Sequence, residues 1–226
     1  YQAPGLSEHI SGVILHVETL FQTDADGNRM VDLINANGMI PGIKLDKGYD
    51  TSGIPGTAVG PLGHPETFDK GIDDLDARCK AAYEQGARFA KWRNVLQIDP
   101  ASGLPSDLAI AECVGNLACY AAICQRCGLV PIVEPEIVPN GDHGIDVCAE
   151  VTKKVLTAQY AALADFWSGV APPEGGAGEA LHAAACGSAP PQVRHRLDAR
   201  PDALDDLACA TPLLEVTLKL TGAPLG

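Results

Sequence analysis

Residues 89–96 read FAKWRNVL and residues 130–137 read VPIVEPEI. Both are short, rich in apolar and β-branched residues, and charged at alternate positions: Lys91 and Arg93 in the first, Glu134 and Glu136 in the second. Successive side chains on a strand point to opposite faces, so residues i and i+2 share one. Each run therefore predicts a strand with a charged pair on one face, opposite Trp92 in one case and Val133 in the other. Residues 39–46 (MIPGIKLD) repeat the pattern, with Lys44 and Asp46 on one side and Ile43 and Leu45 on the other. Residues 12–18 (GVILHVE) make a fourth candidate strand.

Between these runs, residues 72–85, 107–127 and 145–164 place apolar side chains at helical period. In the second segment Ile110, Val114, Leu117, Ala121 and Cys124 form one face, and in the third Cys148, Val151, Val155, Ala158 and Ala162 do the same. Ser106 is a suitable N-cap for the second helix and Gly128 a suitable stop. Strands alternating with helices across short loops predict βαβ units in a parallel sheet, so the fold class is α/β. Residues 49–68, rich in Gly and Pro, read instead as a long loop with turns.

Periodicity does not separate a closed barrel from an open doubly wound sheet, but strand chemistry does. No GxGxxG or GxxxxGK[ST] loop follows a strand, which weakens the nucleotide-binding open sheet. A parallel strand is normally covered on both faces and continuously apolar. Burying an unpaired charge costs several kcal/mol, so three strands with charged pairs call for a shared polar interior. The C-terminal mouth of a (β/α)8 barrel provides one, and the pairs are expected near the C-terminal ends of their strands. A purely structural layer of ion pairs is the other reading of the same residues.

Composition narrows the function. The 226-residue chain carries a net charge of -13, which argues against a nucleic-acid or anionic-membrane surface. The N-terminus lacks a basic start and an apolar core region, so a cytoplasmic protein is expected. Five of the eight cysteines (Cys79, Cys113, Cys119, Cys124 and Cys148) fall in helical patterns and read as reduced. Cys124 and Cys127 are one helical turn apart, without a second pair to complete a zinc site. His16, His64 and His143 are scattered, and neither a metal nor another cofactor is expected; His143 reads as a loop-stabilising residue. Residues 1–165 form the expected barrel unit, whereas residues 166–226 turn rich in Ala, Gly, Pro and Asp, with one possible strand at 213–222.

The segments GVILHVETLFQ, GIKLDKG, ARFAKWRNVL, GLVPIVEPEIVPNGDH and EVTKKVLTAQYAALAD resemble, in order, the second to fifth barrel strands of class I fructose-1,6-bisphosphate aldolase and the helix after the fifth. The resemblance covers residues 7–165 and implies a partial (β/α)8 TIM barrel representing strands 2–5, with 213–222 as a possible sixth. It implies reversible cleavage of fructose 1,6-bisphosphate to dihydroxyacetone phosphate and glyceraldehyde 3-phosphate through a Schiff base, without a metal. By the same resemblance Glu134 is the general acid/base for carbinolamine dehydration, and Glu136 is the carboxylate that pairs with lysines. Lys91 handles charge near the reacting carbons; Lys44, Lys91 and Arg93 meet the sugar phosphate. The family usually forms homotetramers.

Two departures from the family pattern set further expectations. The family's first strand, with its aspartate, has no counterpart here, nor have the seventh and eighth with their phosphate site. The Schiff-base lysine of the sixth strand finds a counterpart only in Lys219 of LLEVTLKLTG, where the spacing from Glu215 is one residue shorter than the family's. A one-residue slip turns a strand side chain to the other face. Little or no turnover is therefore expected of this chain by itself. A non-catalytic aldolase-like binding or regulatory protein, and another Schiff-base lyase or transferase on the same barrel, are the alternatives.

Overall fold

The computed structural model describes residue 1 and residues 3–169. A 3-10 turn at Leu6–Glu8 leads into four strands, β1 (Gly12–Leu15), β2 (Ile40–Lys44), β3 (Phe89–Leu96) and β4 (Val130–Ile137). Helices α1 (Val17–Phe21) and α2 (Met30–Ala36) join β1 to β2, α3 (Leu75–Gln85) joins β2 to β3, α4 (Asp107–Arg126) joins β3 to β4, and α5 (Ile145–Gly169) follows β4. All strands are parallel, in the order β1-β2-β3-β4. The order never reverses, so the chain winds in one direction as a barrel wall does; a doubly wound sheet turns back at a switch point.

β3 and β4 have the bounds expected from the alternating pattern. β1 ends three residues early because His16 becomes the extended residue before α1. The two short helices α1 and α2 were not foreseen: five and seven residues span too little of a helical period to stand out. α5 runs to Gly169, beyond the expected end at 164.

The core lies between the sheet and α3, α4 and α5. Leu15, Ile43, Leu45, Ala90, Trp92 and Leu96 are buried on the helix side of the strands. The foreseen stripe Ile110, Val114, Leu117, Ala121 and Cys124 packs against them, and the Trp92 and Tyr120 rings sit 5.3 Å apart. α4 is long and apolar enough to cross a membrane by length and composition, but this stripe is core. Of the five residues foreseen on the α5 face, Val155 is fully buried and Cys148, Val151, Ala158 and Ala162 are half-buried; Gln159 and Leu163, outside that stripe, are buried as well. Ser106 caps α4 as expected, accepting from the Ala109 backbone N–H at 3.1 Å. Just past the α4 cap, Gly128 adopts φ 81°, a conformation that favours glycine.

The long loop between β2 and α3 is pinned by buried polar groups. Glu66 accepts from both the backbone N–H (2.7 Å) and hydroxyl (2.5 Å) of Ser106. Asp69 accepts from the Trp92 indole N–H at 2.7 Å, and Gln97 accepts from the Leu62 N–H at 2.8 Å. These contacts hold the loop against the middle of β3, the residue just past it and the start of α4.

Candidate active site

On the sheet face away from the helices, the register sets Lys44 beside Lys91, Lys91 beside Ile132 and Arg93 beside Glu134. The Lys91 ammonium nevertheless pairs with Glu134 Oε2, at 2.6 Å, and Arg93 Nε with Glu136. Both cations thus reach to the residue two positions beyond their own register partner on β4, and the two pairs run parallel. Lys44 pairs with Asp46, whose carboxylate also accepts from the backbone N–H of Arg93 (3.3 Å) and Gly48 (3.2 Å). Asp46 therefore ties the end of β2 to β3 while it neutralises Lys44.

Five expected residues, Lys44, Lys91, Arg93, Glu134 and Glu136, come together in this way on one face, with side chains between 17% and 40% exposed. The cluster is partly enclosed and open on one side. It does not sit wholly at strand ends as expected: Lys44 closes β2, but Lys91 and Arg93 lie within β3, which continues to Leu96. Below the charges the Phe89 ring lies across Gly42 and Gly12, and a Cβ at Gly42 would overlap the ring. The chamber therefore has an apolar floor and a charged upper layer.

The Glu136 hydrogen bond raises the Arg93 pKa above its already high value, so this cation is permanent. On the opposite face of β3, Asp69 is only 6% exposed. Burial, helped by the Asp46 and Glu112 carboxylates, raises its pKa to about 7 against the opposing Trp92 hydrogen bond and Lys44 charge. The sequence had not singled out Asp69 or Glu66, since both lie in an aperiodic loop and act on residues 23 and 40 positions away.

Among the described residues, no group of three or more His, Cys, Asp or Glu side chains is placed to hold a metal ion. His64 Nδ1 lies 2.7 Å from the Pro65 carbonyl, and His143 Nδ1 is buried without a hydrogen-bond partner. Lys219 and the 213–222 segment lie outside the described residues.

Parallel strands wound in one direction, helices on one side and converging ion pairs on the other define a (β/α)-barrel protein with a polar site on its strands. The sequence model of the glycolytic class-I fructose-bisphosphate aldolases matches residues 1–169, and the chain belongs to that family. It is 54% identical over 165 residues to fructose-bisphosphate aldolase 1 of Toxoplasma gondii, an alignment covering 73% of this chain and 43% of that protein. It is 51% identical over 165 residues to the cytosolic fructose-bisphosphate aldolase 4 of Arabidopsis thaliana, covering 73% and 39%. A solved structure of Plasmodium falciparum fructose-bisphosphate aldolase, in complex with TRAP and a small-molecule inhibitor, superposes with a TM-score of 0.67 at 51% identity, covering 72% of this chain and 44% of that one. The chain thus spans less than half the length of the relatives it matches.

Proposed function

We propose that this chain supplies the β2–β4 wall of a class I aldolase site that cleaves fructose 1,6-bisphosphate through a Schiff base. The observation that carries the reading is the pair of parallel ion pairs, Lys91–Glu134 and Arg93–Glu136, with Lys44 beside Lys91. A lysine amine adds to the substrate ketone, and loss of water gives an iminium that accepts electrons as the carbon–carbon bond breaks. Glu134 donates and recovers the protons of the dehydration steps, and Lys91 at 2.6 Å keeps a positive charge beside it. Glu136 orients Arg93, which with Lys44 meets the anionic substrate where water is partly excluded.

Lys44 and Lys91 are each paired with a carboxylate; by the likeness of LLEVTLKLTG to the family's sixth strand, Lys219 is the nucleophile. The protein works in the cytoplasm, as the cytosolic relatives do, and assembles as a homo-oligomer, with residues 1–165 as the barrel unit, which α5 carries on to Gly169, followed by residues of different composition. Since the described residues supply four strands, half of an eight-stranded wall, the chain by itself binds sugar phosphate weakly and turns it over at a small fraction of an intact aldolase's rate.

The test is calorimetric titration of the chain with fructose 1,6-bisphosphate, beside a coupled cleavage assay and borohydride trapping with dihydroxyacetone phosphate. Arg93→Ala is expected to weaken binding about tenfold, the loss of one charge-assisted contact. Trapped label is expected on Lys219. Label on another lysine, or binding indifferent to Arg93, overturns the site assignment; cleavage near the rate of an intact aldolase overturns the low turnover.

A further inference from the structure

Residues 139–144 read PNGDHG and link β4 to α5. Gly141 has φ 121°, a conformation that residues with a side chain rarely adopt. A Cβ there would lie 3.0 Å from the Pro61 side chain and 3.1 Å from the Ile98 carbonyl, so the fold requires glycine at this position. Asn140, just before it, is exposed. Among the described residues, neither the Asn140 carboxamide nor the Gly141 N–H has a hydrogen-bond partner. His143 Nδ1 bounds the same niche, 3.3 Å from where that Cβ would stand, and it is buried without a hydrogen-bond partner of its own.

The sequence holds a second Asn–Gly pair, Asn37–Gly38, and the fold treats it in the opposite way. The Asn37 carboxamide donates to the Tyr1 and Ala3 carbonyls at 2.7 and 3.2 Å. The Gly38 N–H donates to the Asn35 carbonyl at 2.9 Å. Attack of a glycine nitrogen on the preceding carboxamide needs both groups released from such contacts. One pair is therefore locked and the other open.

We propose that Asn140 is a site of spontaneous deamidation, with His143 as the proton acceptor. The Gly141 backbone nitrogen yields its proton to His143 Nδ1 and bonds to Asn140 Cγ, closing a cyclic succinimide. The Cγ–Nδ2 bond breaks, and the departing nitrogen takes the proton back and leaves as ammonia. Water then opens the ring at either carbonyl carbon and gives aspartate or isoaspartate. The balance is one carboxamide and one water giving one carboxylate and one ammonium ion, with nothing oxidised or reduced. The product places a new negative charge, and in the isoaspartate form an extra backbone carbon, in the link between α5 and the strand that carries Glu134 and Glu136.

The test incubates the full chain at neutral pH, folded and in urea, and maps tryptic peptides prepared in mild acid, which halts the reaction. Asn140 is the only asparagine or glutamine in the tryptic peptide 127–153, so an amide-to-acid mass gain in that peptide assigns the site. In the fold Asn140 is expected to convert about tenfold faster than Asn37, which must first break hydrogen bonds; in urea the two are expected to convert at similar rates. His143→Gln is expected to slow the folded-state reaction about tenfold or more, with circular dichroism unchanged. Loss of a side chain that merely stabilised the loop would speed it instead, because a looser loop reaches the attacking geometry more often. The proposal is overturned if Asn140 in the fold stays an amide while the chain in urea converts it, or if Asn37 in the fold keeps pace with it. Equal or faster conversion in H143Q overturns the part given to His143.

Discussion

Replacing Asp69 with asparagine turns its burial into a measurable slope of stability against pH. In the unfolded chain this carboxyl ionises near 3.8, whereas in the fold it keeps its proton to about 7. Between those values unfolding releases a proton. The stability contributed by Asp69 is thus complete below pH 4 and is lost as the pH rises through 7. Each pH unit corresponds to about 1.4 kcal/mol, so wild type loses roughly 2–3 kcal/mol from this group as the pH rises from 5 through 7. The amide of the Asp69→Asn variant keeps an oxygen acceptor for the Trp92 indole, which lies 2.7 Å from the present carboxylate oxygen, but carries no titrating proton. That amide adds an offset that does not vary with pH, so the slope alone is informative. In urea titrations followed by circular dichroism at pH 5, 6, 7 and 8, the unfolding free energy of D69N minus that of wild type is expected to rise by about 2–3 kcal/mol from pH 5 to 8. A difference that stays flat or falls over this range refutes the account of Asp69 as a buried, protonated acid.

Gly42→Ala drives a methyl group into the Phe89 ring and is expected to cost about 2–3 kcal/mol in urea titrations; G42A/F89L should recover part of the loss, and an unchanged midpoint in the single variant would contradict the close approach. Ser106→Ala removes both the cap on the Ala109 N–H and one of two donors to Glu66, for an expected loss of roughly 1–3 kcal/mol, with Ser106→Thr retaining more stability than alanine. Glu136→Gln frees the Arg93 guanidinium from its carboxylate, so binding of inorganic phosphate, followed by calorimetry, is expected to tighten by about threefold to tenfold; unchanged or weaker binding would show that Glu136 does more than compete for Arg93.

How far the sequence could be read depended on the range of the interactions. β3 and β4 were legible to the residue because each alternates within itself, and Lys91, Arg93, Glu134 and Glu136 meet where that alternation places them. Helices α1 and α2 were not, since they are too short to display a period. Asp69 and Glu66 escaped notice because a loop carboxylate acquires meaning only when folding brings it to Trp92 or Ser106. The winding of the sheet, also silent in any single segment, emerges from the uninterrupted order of four strands.

The KWRN stretch of β3 shows why its strand assignment was nonetheless secure. Lys91 and Arg93 find carboxylates on β4, whereas Trp92 enters the core, stacks near Tyr120 and donates to Asp69. Slipping the strand by one residue would reverse every side chain. It would set two cations against the apolar residues of α4 and turn a fully buried indole toward the open chamber. Each such cation, stripped of its partner, would cost several kcal/mol. The charges of the candidate site and the packing of the core thus enforce the same register. For this reason the residues proposed to meet the sugar phosphate also serve to position the strand that carries them.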